Sequence, residues 1–273
     1  MKKETRFLVI VSLLLIWMFI PHSEVQASVQ YKTVRATESG TKIGDATFYT
    51  RYSSTKGQYC VYCKYAGKKE EIATNKNVSP FIITNGINVY YQYSDGEKSV
   101  FCKRNLQKET RKELFVIHDV DCEFAGVYKN KLYYTQGIDP ATLYYYNLDT
   151  GKSKKVLEDV TGTEQKGKFF FCHGYEGDLS PREVRCYNAK TNKVTVISKK
   201  VITYCVEKNK LYYVEYVKNN NTSSGADEYE DYYCRVIKSN MDGSDKKVLT
   251  KNIRMNRYIE EITSSYFIYG PIS

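Results

Sequence analysis

Histidine and tryptophan are almost missing from this sequence: 273 residues hold three of the first and one of the second. Only His118 and His173 lie beyond residue 27, too few for a histidine-rich metal site. No GxSxG elbow, HExxH helix or glycine-rich phosphate loop occurs, so these common hydrolase and nucleotide-binding signatures are excluded. Proline is scarce, and Pro80, Pro140, Pro181 and Pro271 sit in joints between apolar runs. No stretch sustains a helical period with caps. Beyond the N-terminus, no apolar run reaches the roughly 20 residues of a membrane span. The many aromatics and modest charge exclude a disordered chain.

What is present begins with a leader. Lys2, Lys3 and Arg6 precede the apolar run Phe7–Ile20, and Val25-Gln26-Ala27 supplies a cleavage site. This is the three-part pattern of a secretory signal. Residues 1–27 are expected to be the signal and 28–273 a single secreted domain. The alternative is an uncleaved segment anchoring the chain to a membrane. The first cysteine is Cys60, so none near the cleavage site carries a lipid.

The net charge is +10. A basic balance favours anionic neighbours. Secretion points to cell-wall polymer, glycan or protein as partners, with no nucleic acid. Eight cysteines follow the leader, an even number that permits disulfides in a secreted chain. Their irregular spacing and the size of the chain favour buried thiols, with one or two disulfides left open. Cys60 and Cys63 form the only CxxC. A strand there would point them to opposite faces, a poor geometry for a metal or redox pair.

A repeat organises the rest. Asn130-Lys131-Leu132-Tyr133-Tyr134 recurs as Asn209-Lys210-Leu211-Tyr212-Tyr213. Looser copies start at Gly167, Ile87, Ala46 and Ser265, placing the anchors at 47, 89, 132, 169, 211 and 266. Most are about 40 residues apart. The last gap is longer because of the insertion NNNTSSGADEYED at 219–231. Each anchor strand leads through a loop to a second strand, then a polar turn such as Asp149-Thr150-Gly151-Lys152, then a short strand. Asp, Asn and Gly suit the positive backbone angles of such turns. An apolar or mixed strand precedes most anchors. The runs are rich in Tyr, Val, Phe, Ile and Thr, as strands prefer. Four short strands per repeat read as β-propeller blades. The expected fold is all-β, a six-bladed β-propeller of four-stranded blades. Its last blade would be closed by both termini, pairing Val29–Arg35 with the two strands after Tyr258. Five blades with stray ends is the alternative.

Asn240-Met241-Asp242-Gly243-Ser244 with Lys247-Val248-Leu249 resembles the outer turn of low-density-lipoprotein-receptor-type six-bladed propellers. Tyr146-Asn147-Leu148-Asp149-Thr150-Gly151-Lys152 with Lys155-Val156-Leu157 resembles the TolB-type blade. With the leader and the Asn-Lys-Leu-Tyr-Tyr strand, the chain is similar to a bacterial domain-of-unknown-function family of secreted propellers. The resemblance covers about residues 36–272 and implies the fold without implying an activity.

Propeller topology then sorts the candidate residues. Turns between strands 1 and 2 and between strands 3 and 4 share one end. These tight turns and their flanks hold Lys129, Lys131, Lys152, Lys154, Lys155, Lys190, Lys193, Lys208 and Lys210, expected to face an anionic surface. Longer loops share the other end, where loops on a rigid scaffold carry recognition. Tyr52, Tyr93, Asp139, His173, Tyr175, Asp178 and Tyr216 are the binding candidates there. The tyrosine runs are stacking platforms for sugars or, as their recurrence favours, strand packing. Asp119/Asp121 and Asp139/Asp178 could flank a glycosidic bond. Asp227–Asp231 lacks EF-hand spacing. No catalytic residue, metal ligand or cofactor is assigned. The expected function is a secreted or cell-surface, non-catalytic, monomeric binding module. The alternative is an extracellular carbohydrate-active enzyme, a glycosidase or lyase, and a third reading is a scaffold without a small ligand.

Overall fold

The computed structural model describes residues 31–74, 76–174, 182–218, 232–254, 257–262 and 267–271. The signal segment, the insertion 219–231, Tyr175 and Asp178 lie outside the described residues. Every described regular element is a strand, and the pairings are antiparallel apart from one isolated bridge.

The repeat becomes five consecutive four-stranded units. Thr41–Ile43, Ala46–Ser53, Gln58–Tyr65 and Lys68–Glu71 make the first. Phe81–Thr84, Asn88–Asp95, Lys98–Asn105 and Thr110–Ile117 make the second. Cys122–Tyr128, Lys131–Gln136, Ala141–Asn147 and Lys152–Val160 make the third. Gly162–Lys166, Phe169–His173 and Arg182–Asn188 open the fourth, and Lys210–Lys218, Tyr232–Asn240 and Lys247–Arg254 end the fifth. Lys193–Glu207 is shared between them. It pairs first with Arg182–Asn188 and then, from Val201, with Lys210–Glu215. The sequence reads as two strands here, but no Gly or Pro separates Ile197 from Val201, so the chain continues while its partner changes. Arg257–Ile262 and Phe267–Pro271 form a two-stranded sheet of their own.

Three features depart from expectation. Lys32–Arg35 pairs with Phe81–Thr84 in the second unit's sheet, not with the terminal hairpin, so the described strands do not close a composite last blade. The first and fourth units also have inner strands, Thr41–Ile43 and Gly162–Lys166, whose polar composition hides them from an apolar-run search. The fourth anchor moves by one residue. Leu106 N–H bonds to Ile87 O, Leu148 N–H to Asn130 O and Ala189 N–H to Lys168 O, each at 2.8 Å. Lys168 therefore matches Asn130, and Phe170, not Phe169, matches Leu132.

The core lies in the seams between units. Phe48 and Val61 of the first unit pack with Val89, Tyr91 and Val100 of the second. Tyr90 meets Leu132 across the next seam. Tyr133 lies 4.2 Å from Phe170, centroid to centroid, across the one after. Phe171 and Val184 meet Leu211 and Tyr213 in the fourth. Successive residues of a strand face opposite seams, so the Tyr-Tyr pairs serve two interfaces at once. Full burial of each large side chain stabilises by roughly 1.5–3 kcal/mol.

Polar side chains stitch the same seams. Gln165 acts as a short extra strand: its Oε1 accepts from Val127 N–H at 3.0 Å, and its Nε2 donates to Val127 O and Gly167 O at 2.7 Å. The carboxamide can approach because its neighbour is Gly126, at φ +155°. A Cβ there would collide with the Gln165 amide and stand 2.9 Å from the Phe170 ring. Arg104 donates to Glu71 O at 2.9 Å, and Tyr146 Oη donates to Leu114 O at 3.0 Å.

Candidate functional site

Antiparallel order gives each unit two ends, and backbone bonds show which segments share one. Ser79 N–H bonds to Gln92 O, Gly137 N–H to Asp121 O and Thr161 N–H to His173 O. Each joins a crossover between units to the end of a second strand, so the crossovers and the longer loops lie together. The tight turns share the opposite end, as the Leu106, Leu148 and Ala189 bonds show.

At the loop end, Tyr52 is 60% exposed and meets Tyr59 edge-on at 5.5 Å. Asp139 is exposed and precedes the cis Pro140. Tyr93 is buried, so it cannot offer its ring to a ligand. Val78 pairs beside it, and Lys76 Nζ lies 4.9 Å from its ring. A tyrosine near a strand end reads as a mouth residue, and the added strand Asn77–Val78 is what changes its role.

His173 is half-buried, its Nε2 3.1 Å from Tyr204 Oη. Burial first, then the Arg182 charge, hold the imidazole below its usual pKa, with Glu164 opposing. Burial also pushes Tyr204 far above the phenol range. The pair is a neutral hydrogen-bonded link between adjacent units. Asp119 Oδ1 accepts from Asp121 N–H at 2.9 Å, so that carboxylate organises a turn.

Tyr216 is the candidate that joins a concave site. A cleft of about 490 Å³ opens where Lys193–Glu207 changes partner. Its wall is Ser198, Lys199, Lys200, Glu215, Tyr216, Val217 and Arg235. Glu215 is already spoken for: Arg235 donates to its Oε2 through Nε at 2.8 Å and Nη2 at 2.5 Å, and Ser198 Oγ donates to its Oε1 at 2.5 Å. Lys199 and Lys200 are exposed and have no ion pair among the described residues. Among the described residues the cleft is therefore net cationic, with a phenol at its side. Sequence reasoning found Tyr216 but missed Lys199, Lys200 and Arg235. Two adjacent lysines were the available signal.

A second hollow of about 250 Å³ lies in the seam between the first and second units. Its charges pair internally, Arg104 with Glu70 and Lys68 with Glu109. At the tight-turn end, Lys131 lies 4.3 Å from the Tyr145 ring, Lys210 donates to Asn240, and Lys155 pairs with Glu158. Lys129 lies over Tyr128, and Lys208 lies 3.8 Å from Glu207. Lys152, Lys154, Lys190 and Lys193 are exposed and form no ion pair among the described residues.

Among the described residues no disulfide forms and no cluster of three metal-ligating side chains occurs. Cys60 and Cys63 occupy opposite faces of Gln58–Tyr65, and Cys63 faces the seam. Burial pushes the thiols of Cys63, Cys122, Cys172 and Cys186 up to about 12, which leaves them protonated and unreactive near neutrality.

No family model matches the chain, and no curated protein matches it. Solved structures do. A prolyl endopeptidase aligns with TM-score 0.55 and 14% identity over 85% of this chain and 38% of that one. The β-propeller domain of the Trilobed protease from Pyrococcus furiosus, described as having an open velcro topology, aligns with TM-score 0.50 and 9% identity over 87% and 77%. TolB from Acinetobacter baumannii aligns with TM-score 0.42 and 13% identity over 77% and 52%. The chain thus spans about half the length of that TolB and less of the endopeptidase. At these identities the likeness to the Trilobed-protease domain establishes the propeller fold and nothing further.

Proposed function

We propose that this chain is a secreted or cell-surface interaction module, non-catalytic, built on a six-unit β-propeller that the described strands leave unclosed. Five four-stranded units and a terminal hairpin, in the order of a unit's first two strands, support the count. The leader sequence supports export. One observation carries the binding reading: the loop end holds a cleft that is cationic among the described residues, where its only carboxylate is neutralised within the wall. Such a cleft suits an anionic ligand group, with Tyr216 beside it for a sugar or aromatic ring. The lysines of the tight-turn end suit the anionic polymer or lipid of a cell envelope.

The test is an array of glycans and cell-wall fragments probed with the mature chain. Hits are expected that weaken at least tenfold in Lys199→Ala/Lys200→Ala, and retention on envelope preparations should fall with added salt. Turnover of any hit would replace this reading with that of a carbohydrate-active enzyme.

A further inference from the structure

The first unit has two faces of very different chemistry. One packs into the seam with the second unit through Phe48, Val61 and Cys63. The other points away from it. Register places its residues in rows across the strands. Lys42 pairs with Thr47, Thr47 with Lys64, and Lys64 with Lys69, so three lysines share one row across four strands. Tyr49 and Tyr62 form the next row, and Arg51 opposite Cys60 the third.

This row is costly as it stands. Neighbouring strands are about 4.8 Å apart, so Lys64 and Lys69 are directly opposed like charges, an arrangement that destabilises a sheet. All three lysines and Arg51 are exposed, and none has an ion-pair partner among the described residues. Among the described residues the one carboxylate on the face, Glu71, is taken by Lys56 at 2.8 Å. The rings organise the cations: Tyr49 and Tyr62 stack at 5.6 Å, Lys69 Nζ lies 5.3 and 5.2 Å from their centroids, and Arg51 lies 5.7 Å from Tyr49. An extended polymer lying along this row would meet cations at three of the four strands and two phenols at its flank.

We propose that this face binds a linear acidic polysaccharide, one with a negative charge on successive sugars. Its charges compensate the lysine row, and its sugar rings lie beside Tyr49 and Tyr62. The site is separate from the loop-end cleft and does not depend on it.

Polygalacturonate is the probe, with dextran as the uncharged sugar and poly-L-glutamate as the charge without sugar. The full mature chain should bind polygalacturonate at low salt, poly-L-glutamate at least tenfold more weakly, and dextran not at all. Lys64→Glu should cost at least tenfold in affinity while leaving the melting temperature equal or higher, because it places a carboxylate opposite Lys69. Tyr62→Ala should weaken binding several-fold in a protein that still melts cooperatively. Lys112→Glu, on the exposed outer strand of the second unit, should change it less than twofold. The proposal is overturned if Lys64→Glu binds as the parent does, if poly-L-glutamate binds equally well, or if the folded chain ignores polygalacturonate. Binding lost in Lys199→Ala/Lys200→Ala but kept in Lys64→Glu would sink this site and leave the loop-end reading standing.

Discussion

The seam between the third and fourth units and the outward face of the first unit are made from equivalent strands, yet they end opposite in character. The backward-facing positions of the second strands are Thr47, Val89, Leu132, Phe170 and Leu211. Four are apolar and meet the preceding unit. Thr47, in the first unit, is the polar one. Two residues on, Tyr91 and Tyr213 are fully buried while Tyr49 is half-buried beside Lys69 and Arg51. The same strand pattern thus builds core where a neighbour covers it and a charged surface where no described residue does. Aromatic residues fit both because a tyrosine packs along its ring and still tolerates water or a cation at its edges and faces.

The largest effect should fall in the seam. Phe170→Ala empties the contact with Tyr133 and should cost about 3–5 kcal/mol in denaturant unfolding. Gly126→Ala should cost about 1–3 kcal/mol by forcing the Gln165 amide aside, and Gln165→Ala should cost about as much by stranding Val127 N–H and C=O. If the two losses add fully in the double variant, the strand-mimic reading fails, because both act on one contact.

On the open face, Tyr62→Ala should cost no more than about 1 kcal/mol, since the ring is only half-buried. A loss matching Phe170→Ala would mean that the face is covered and would erase the contrast.

A pH titration tests the His173–Tyr204 link. The imidazole is held below its ordinary pKa, so the unfolded chain takes up the proton first. Its stabilising contribution is complete above about pH 6.5 and is lost as pH falls through the lower folded value. His173→Gln should flatten the unfolding midpoint between neutral pH and mild acid, and an unchanged slope would count against the link.

The smallest effect is expected at Tyr213→Phe. The Tyr213 hydroxyl is buried without a hydrogen-bond partner among the described residues. Its removal should leave stability within about 0.5 kcal/mol or raise it slightly. A loss above about 1 kcal/mol would reveal a partner such as buried water.

Much of the fold was legible because its signals are local. Alternating aromatics, Asp-Gly turns and a recurring Asn-Lys-Leu-Tyr-Tyr set strand type, turn position and repeat length within a few residues of one another. The polar strands Thr41–Ile43 and Gly162–Lys166 were not legible, since their pairing rests on backbone bonds and a neighbour's register. Of the candidate site, Tyr216 was readable and its surroundings were not. Lys199 and Lys200 meet the Glu215–Arg235 pair only because one strand continues across two units.

By itself, then, the sequence determined the strands, the turns and the repetition, because each rests on short-range backbone and side-chain preferences. Tertiary structure decided that Lys32–Arg35 joins the second unit, that Tyr93 is core and Tyr52 is not, and that Lys42, Lys64 and Lys69 form one row. The physical reason is that strand pairing is long-range. An exposed strand edge offers the same donors and acceptors to any partner of suitable register, and only the packed whole selects among them.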